Sequence, residues 1–366
     1  MIIDSILQAY GIVAGDSRIE PLVSGLINRT WKITSGSDQY ILQQVNTNVF
    51  RKPYELDENI SKLKQYLTEF NPDYLFVAPL KSRHSKGIVQ DQLDYFRLYP
   101  FVLGSHTINV VTTPGQAYEA AFQFGKFTQL LSGFDASKLH FTIPDFHNLT
   151  LRYQQFEKAL EQGNTERIKE SNQLISDINS HRHILDSFER LNQSALVKHR
   201  VTHHDTKISN VLFDQDNKGI CVIDLDTVMS GYFISDLGDM MRTYLSPANE
   251  EERDFAKIEV RDDFFRAIVD GYLRCMKKEL TNEEQGLIFY SGLFLIYMQA
   301  IRFLTDYFNN DTYYGASYPD QNFVRAGNQI CLLKQMMEKK SLLEGIVSEE
   351  LNVKKHFIYS STSKSN

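Results

Sequence analysis

Residues 201–226 read VTHHDTKISNVLFDQDNKGICVIDLD and contain two polar motifs joined by a predicted β-hairpin. The first motif, at residues 203–210, has the spacing His-x-Asp-x-x-x-x-Asn, and the second is Ile-Asp-Leu-Asp at residues 223–226. The predicted strands, residues 211–214 and 220–224, flank a turn whose Asp, Asn and Gly suit a tight hairpin. An isolated His-x-Asp is usually a capped loop. The two motifs together, with a hairpin of this length between them, indicate a functional loop.

The residue types in these motifs suit phosphoryl transfer, which asks a protein mainly to position groups and neutralise charge. Asp205 can accept the proton of an acceptor hydroxyl, and Lys207 would face the transferring phosphate as a point charge. Asn210 and Asp224 offer the oxygen ligands that Mg²⁺ prefers. Asp226 has two interpretations, since it either contributes to the metal site through water or only holds the turn. The stretch therefore predicts a magnesium-dependent kinase site.

Two neighbouring residues are predicted to support this loop rather than react. His203 would orient the loop backbone. Asp236 lies at the start of a predicted helix, where its carboxylate could cap free N–H groups and brace the loop. We therefore assign both residues a structural role.

The pattern around the motifs predicts an α+β chain with two lobes. Residues 19–99 are strand-like, with runs at 30–34, 40–45, 74–79 and 92–99, and one helix at 53–70 interrupts them. Beyond residue 104 the pattern is mostly helical, with predicted helices at 114–131, 151–191, 234–244, 261–277, 282–308 and 320–340. We therefore expect a small β-rich nucleotide-binding lobe (1–102), a larger, mainly helical catalytic and substrate lobe (103–351) and a flexible tail (352–366). A cleft between the lobes would hold the ligand.

Composition favours a small-molecule partner. The 366 residues carry a formal net charge of −7, and no segment is dominated by Lys or Arg, so neither nucleic acid nor an anionic membrane is expected as a partner. The apolar stretch 287–304 is interrupted by polar residues and is predicted to be a buried core helix. The three cysteines lack metal-site spacing and disulfide density, which fits a reducing cytoplasm.

The sequence resembles the aminoglycoside phosphotransferase and choline kinase superfamily and, within it, the N-acetylhexosamine 1-kinases. The resemblance is carried by residues 24–28, 40–43, 46–50, 205–210, 222–226, 236–239 and 302–307. It implies a bilobal, protein-kinase-like fold that uses ATP and Mg²⁺ and phosphorylates the C1 hydroxyl of an N-acetylhexosamine such as GlcNAc or GalNAc. By the same resemblance Asp205 is the base, and Arg302 and Tyr313 hold the sugar.

The resemblance also assigns a set of nucleotide-binding residues. They are Ser24, Gly25, Asn28, Gln43, Glu58, Tyr99 and Phe101. Gln43 stands where protein kinases have a lysine, and Glu58 is its expected helix partner. Tyr99 and Phe101 belong to the link between the lobes, where they either face adenine or form a plain connector.

Other interpretations compete with this one. Arg302 and Asp306 are four residues apart on a predicted helix, so they could form only a surface ion pair. The chain could instead phosphorylate an aminoglycoside, choline or homoserine-like alcohol, but a cationic acceptor would want an acidic pocket, which Arg302 argues against. A catalytically dead, kinase-like binding module is the third candidate, and the intact Asp205, Asn210 and Asp224 argue against it. The sequence indicates no particular oligomeric state.

Overall fold

The N-terminal lobe is built on one antiparallel sheet. The computed structural model describes residues 2–22 and 27–352. In chain order this lobe contains α1 (Ile2–Ala9), β1 (Ser17–Leu22), β2 (Arg29–Ser35), β3 (Asp38–Gln44), α2 (Pro53–Phe70), β4 (Ile88–Asp91) and β5 (Asp94–Pro100). The strands pair antiparallel in the order β1-β2-β3-β5-β4. The predicted helix at 53–70 is confirmed with the same bounds, and its first residue is a proline, as is common at this position.

The sheet is stabilised by strands that bury alternate side chains and by tight turns that join neighbouring strands. Ile33 and Leu42 are fully buried, and they pack with Phe96, Leu98 and residues of α1 into a small core of the lobe. Gly36 has a positive φ of 60° and forms the two-residue turn that joins β2 to β3. The sheet is therefore covered on one side by its own core.

The C-terminal lobe is mainly helical. Its elements are α3 (Pro114–Leu130), α4 (Leu149–Gln162), α5 (Thr165–Glu170), α6 (Asn172–Ser180), α7 (His183–Asn192), β6 (Arg200–Thr202), β7 (Val211–Phe213), β8 (Gly219–Val222), β9 (Met229–Gly231), α8 (Phe233–Tyr244), α9 (Asp262–Met276), α10 (Asn282–Gln285), α11 (Ile288–Phe308), α12 (Gln321–Glu338) and α13 (Lys340–Asn352). Strands β7 and β8 form the predicted hairpin, and β6 pairs with β9. The predicted α+β, two-lobed fold is confirmed.

Helix α11 is the centre of the larger lobe. It is long and apolar enough to cross a membrane, but 83% of its most apolar stretch is buried inside the protein. It packs against α4, α8 and α12. The prediction of a buried core helix is therefore confirmed.

Three segments predicted from periodicity were wrong in detail. The predicted helix at 282–308 is two helices, α10 and α11, which are separated at residues 286–287. Residues 74–79 form no strand, because β3 and β4 occupy the two edges of β5. The next residue, Leu80, donates one backbone hydrogen bond to Leu98 (2.7 Å). The predicted helix at 151–191 is four helices. Its first break lies at Asn164, whose side chain accepts from the N–H groups of Glu166 and Arg167 and so starts α5.

Candidate active site

The loop after β6 is held in place by α8. The backbone N–H groups of His203 and His204 donate to the two carboxylate oxygens of Asp236, at 3.0 and 2.7 Å. The ring of His203 donates from Nε2 to the carbonyl oxygen of Ile223 (3.0 Å), which ties the loop to the second motif. Burial raises the pKa of Asp236 to about 6. The structural roles predicted for His203 and Asp236 agree with these contacts.

Asp205, Lys207 and Asn210 form the centre of the loop. Lys207 Nζ lies 3.0 Å from Asp205 Oδ2, and the amide nitrogen of Asn210 donates to the same oxygen (3.0 Å). Burial alone would raise the pKa of Asp205, but the ammonium of Lys207 and the amide of Asn210 outweigh it and hold the pKa below its usual value. Burial would lower the pKa of Lys207, but the carboxylates of Asp205 and Asp224 raise it. Asp205 is therefore an ionised carboxylate that can accept a proton from a hydroxyl.

Asp224 supplies a second carboxylate beside the first. It follows strand β8 with a positive φ of 60°, and the neighbouring Ile223 N–H donates to the carbonyl of Asn210 (2.8 Å). Burial, followed by the charges of Asp226 and Asp205, raises the pKa of Asp224 to about 7. The side chain of Asp224 is open to the cleft, and a carboxylate beside two other carboxylates is suited to a cation.

A Mg²⁺ ion fits these residues. Asn210 uses its amide nitrogen for Asp205, which leaves its amide oxygen available as a ligand beside Asp224. Within residues 2–22 and 27–352 no three His, Cys, Asp or Glu side chains cluster as a complete metal site. Mg²⁺ commonly uses one or two protein ligands, waters and the phosphates of the substrate. The small number of protein ligands therefore matches a nucleotide-bound ion.

The carboxylate of Asp226 is paired with side chains of the N-terminal lobe. Its Oδ1 lies 2.5 Å from Arg97 Nη1, and its Oδ2 accepts from Arg97 Nη2 (2.7 Å) and from the amide of Asn28 (2.8 Å). Both carboxylate oxygens therefore face a guanidinium. These contacts favour the interpretation in which Asp226 holds the turn, and its role at the metal stays a prediction.

Arg97, on β5, is the site residue that sequence reasoning missed. Its side chain is only 1% exposed, and its Nε and Nη2 donate to Gln43 Oε1 at 3.2 and 3.0 Å. It thereby brings a positive charge to the side chain that stands in place of the kinase lysine. A single arginine between Phe96 and Leu98, inside an apolar strand, was the available sequence signal.

Glu58 is not the partner of Gln43, contrary to the prediction. Its Oε2 lies 2.7 Å from Nε2 of His140 and its side chain is largely exposed. Gln43 is a neutral amide already paired with Arg97, so it offers Glu58 no charge to attract it. Glu58 also lies outside the lining of the cleft between the lobes.

The cleft between the lobes has a volume of about 520 Å³. Apolar side chains from both lobes line most of it, and the polar motifs lie at one end. The predicted residues that line it are Asn28, Gln43, Tyr99, Phe101, Asp205, Lys207, Asn210, Asp224 and Asp226. Ser24 and Gly25 lie outside the residues that the structure describes. The nucleotide-binding and catalytic predictions thus converge on one cleft, with Glu58 as the exception.

Arg302 and Tyr313 line a second cleft of about 410 Å³, between α4, α11 and the loop after α11. Arg302 is 9% exposed, and its Nη1 and Nη2 donate to Gln299 (3.2 Å) and to the hydroxyl of Tyr313 (3.4 Å). The carboxylate of Asp306 instead accepts the backbone N–H groups of Tyr313 and Tyr314, at 2.7 and 2.9 Å. Arg302 and Asp306 therefore do not form a surface ion pair, and that interpretation of the sequence is wrong.

An aromatic stack runs from Arg302 in this second cleft to His204, the residue before Asp205. The guanidinium carbon of Arg302 lies 5.4 Å from the ring centre of Phe146, which stacks on His147 with ring centres 4.4 Å apart. Nδ1 of His147 is 3.4 Å from Nδ1 of His204, the residue before Asp205. Burial lowers the pKa of His204 to about 3, so its ring is neutral at pH 7. Asp205 and Arg302 therefore line neighbouring cavities, one aromatic layer apart.

A two-lobed fold with an Asp-x-Lys-x-x-Asn loop and a second aspartate in the interlobe cleft defines a phosphotransferase of the protein-kinase-like class. A sequence model of the phosphotransferase enzyme family (APH) matches residues 18–275, and the chain belongs to this family. The predicted superfamily is thereby confirmed.

Solved structures with a similar fold share little sequence with the chain. A microcompartment-associated aminopropanol kinase has a TM-score of 0.64 at 14% identity, covering 93% of this chain and 98% of its own. A spectinomycin phosphotransferase, in complex with ADP and spectinomycin, has a TM-score of 0.56 at 16% identity, with 95% and 97% covered. A choline kinase from Cryptosporidium parvum Iowa II has a TM-score of 0.55 at 16% identity, with 96% and 99% covered. At these identities the similarity shows the fold.

Proposed function

We propose that this phosphotransferase is a cytoplasmic kinase that transfers the γ-phosphate of ATP to the C1 hydroxyl of an N-acetylhexosamine. The observation that carries the kinase chemistry is the group of Asp205, Lys207, Asn210 and Asp224 at one end of the interlobe cleft. The observation that favours a sugar is the pair of hydrogen-bonding side chains in the neighbouring cleft, the buried guanidinium of Arg302 and the exposed phenol of Tyr313. The ADP bound to the similar spectinomycin phosphotransferase supports ATP as the donor.

The residues divide the chemistry between them. Asp205, ionised and fixed by two hydrogen-bonding partners, accepts the proton of the acceptor hydroxyl as the phosphate is transferred. Lys207 neutralises charge that develops on the phosphate oxygens. Asn210 and Asp224 would hold Mg²⁺, which shields the phosphates and orients them when bound. Arg97 orients the side chains of Gln43 and Asp226, which line the same cleft.

The charge of the second cleft disfavours a cationic acceptor. Choline and aminoglycosides carry positive charge, and Arg302 would repel them. Asp306 is the acidic residue lining this cleft in the described part of the chain, and backbone N–H groups already occupy its carboxylate. Sugar hydroxyls, in contrast, can accept hydrogen bonds from a guanidinium and exchange them with a phenol.

A panel of sugars with ATP and Mg²⁺ tests the proposal most directly. Phosphorus NMR of the product distinguishes a 1-phosphate from a 6-phosphate. We expect GlcNAc or GalNAc to give a 1-phosphate. A 6-phosphate product, or phosphorylation of choline in preference to every sugar, would show that the acceptor assignment is wrong.

Activity is expected to require Mg²⁺ or Mn²⁺ and to be lost in excess chelator, because the carboxylate of Asp224 faces the cleft beside those of Asp205 and Asp226. The measurement is the initial rate of ADP formation with and without EDTA, followed by rescue with added Mg²⁺. The thermal unfolding temperature in EDTA serves as the control for loss of fold. Undiminished turnover in chelator would contradict the metal assignment.

Replacement of Arg302 by Ala is expected to lower kcat/KM for the sugar by roughly 10- to 100-fold, the effect of removing a charged hydrogen-bond donor. The KM for ATP should change little, because Arg302 lies outside the interlobe cleft. Steady-state kinetics with each substrate varied in turn provide the measurement, and Tyr313→Phe is the conservative companion variant. Unchanged sugar kinetics in both variants would remove the second cleft from the acceptor site.

A further inference from the structure

The second cleft contains positive side chains that lack acidic partners. Arg152, Lys158 and Arg302 all line it. Arg152 donates to the backbone carbonyls of Asp145 (2.8 Å) and Phe146 (3.3 Å) and to the side chain of Gln155, and Arg302 to Gln299 and Tyr313. Within residues 2–22 and 27–352 no carboxylate forms a salt bridge with any of these three cations. Arg302 is buried, Arg152 is half-buried and Lys158 is exposed, and a buried charge is normally paired.

Two buried polar atoms of the same cleft also lack partners. Within the part of the chain that the structure describes, neither Nε of Arg152 nor the hydroxyl of Thr305 forms a hydrogen bond. Burial, followed by the charge of Arg302, lowers the pKa of Arg152 below its usual value. The two guanidiniums therefore repel each other, and both a charge and hydrogen-bond donors remain uncompensated. An unpaired cation is costly to bury, so its retention points to a ligand.

We propose that this cleft binds an anionic group, a carboxylate or a phosphate. Guanidiniums form paired, charge-assisted hydrogen bonds with these planar or tetrahedral oxyanions, and the lysine of the same helix adds a third positive charge at the rim. Arg152, Gln155 and Lys158 follow each other at three-residue spacing on α4 and therefore share one face of the helix. Arg302 completes the cleft from α11.

The anion can come from two sources. Phe146 contacts both Arg302 and the ring of His204, so a group bound at Arg302 lies one aromatic layer from the catalytic loop. The first source is an acidic substituent of the acceptor sugar, remote from the C1 hydroxyl; this version rests on the proposed function. The second source is a free anion that binds beside the acceptor.

The kinetic experiment compares two acceptors, an N-acetylhexosamine and the same sugar with a carboxylate-bearing ether on a hydroxyl other than C1. The quantity measured is the ratio of their kcat/KM values, acidic over neutral. We expect the full-length protein to favour the acidic sugar, and Arg152→Gln to lower the ratio about tenfold or more. Lys158→Gln changes an exposed position and should lower this ratio less than Arg152→Gln does. If Arg152→Gln fails to fold, Lys158→Gln is used in its place. Lys64→Gln, which removes an exposed charge on α2, is the control and should leave the ratio unchanged.

Calorimetry separates the two sources. Inorganic phosphate is titrated into the protein, Arg152→Gln and Lys64→Gln. The cleft is assigned to a free anion if two results are found together. Phosphate affinity falls about tenfold in Arg152→Gln but not in Lys64→Gln, and the full-length protein shows no preference for the acidic sugar. The proposal is overturned if the protein and all variants have the same ratio of kcat/KM values, acidic over neutral sugar, and the same affinity for phosphate. If neither sugar is phosphorylated, the proposed function fails, and titration with phosphate and with the acidic sugar still decides whether the cleft binds anions.

Discussion

Replacement of Asp205 by Asn is expected to lower kcat by about 10²–10⁴-fold, the usual contribution of a positioned proton acceptor. The amide has nearly the same shape as the carboxylate, so the loop held by Asp236 should keep its conformation. It cannot accept a proton at neutral pH, and it no longer pairs ionically with Lys207. Single-turnover rates with the sugar and ATP provide the measurement.

The control for this variant is Asp73→Asn, which makes the same chemical change at an exposed position after α2. Circular dichroism and nucleotide affinity should match those of the unmodified protein in both variants. A kcat for Asp205→Asn close to that of Asp73→Asn would remove Asp205 from the mechanism. If Asp205→Asn lost nucleotide binding, Asp205 would instead have a structural role in shaping the cleft.

Arg97→Met is expected to lower the free energy of unfolding by about 3–5 kcal/mol, because it leaves the buried carboxylate of Asp226 without its partner. Methionine fills much of the same volume, so the loss would come mainly from the unpaired charge and from the freed amide of Gln43. Denaturant unfolding followed by fluorescence or circular dichroism measures it. At temperatures where the variant is folded, the KM for ATP should also rise.

Arg200→Met is a matched control, since Arg200 forms a buried ion pair with Glu284 outside the interlobe cleft. It should lose comparable stability and leave the KM for ATP unchanged in the folded protein. Adding Asp226→Asn to Arg97→Met should recover part of the stability, because a neutral buried amide costs less than an unpaired carboxylate. A stability loss under about 1 kcal/mol for Arg97→Met would contradict the pairing.

Some helices could be predicted from the sequence with nearly correct bounds, whereas the long predicted helix at 151–191 is four helices. The helix from Pro53 to Phe70 carries apolar residues at helical spacing, and its backbone hydrogen bonds join residues four apart, so a local pattern records it. The segment 74–79 is apolar enough for a strand, but a strand needs a partner whose position depends on the whole sheet. Only the tertiary structure showed that β4 takes the place beside β5.

The catalytic end of the cleft could also be predicted, because its residues are close in sequence. Asp205, Lys207 and Asn210 fall within six residues of one loop, so their spacing carries the signal. The pairing of Arg97 with Asp226 joins residues 129 positions apart, and no local pattern records it. The aromatic stack of Phe146 and His147 against His204 is equally invisible in the sequence.

The sequence by itself determined the two-lobed α+β fold, the phosphotransferase class and the loop that carries the chemistry, because periodicity and motif spacing are local properties of a chain. The tertiary structure alone decided which charges are neutralised. It paired Asp226 with Arg97, and within the described part of the chain it left Arg152, Lys158 and Arg302 without a salt bridge. The physical reason is that the energy of a charge depends on its burial and its neighbours, and both are set by residues far apart in sequence.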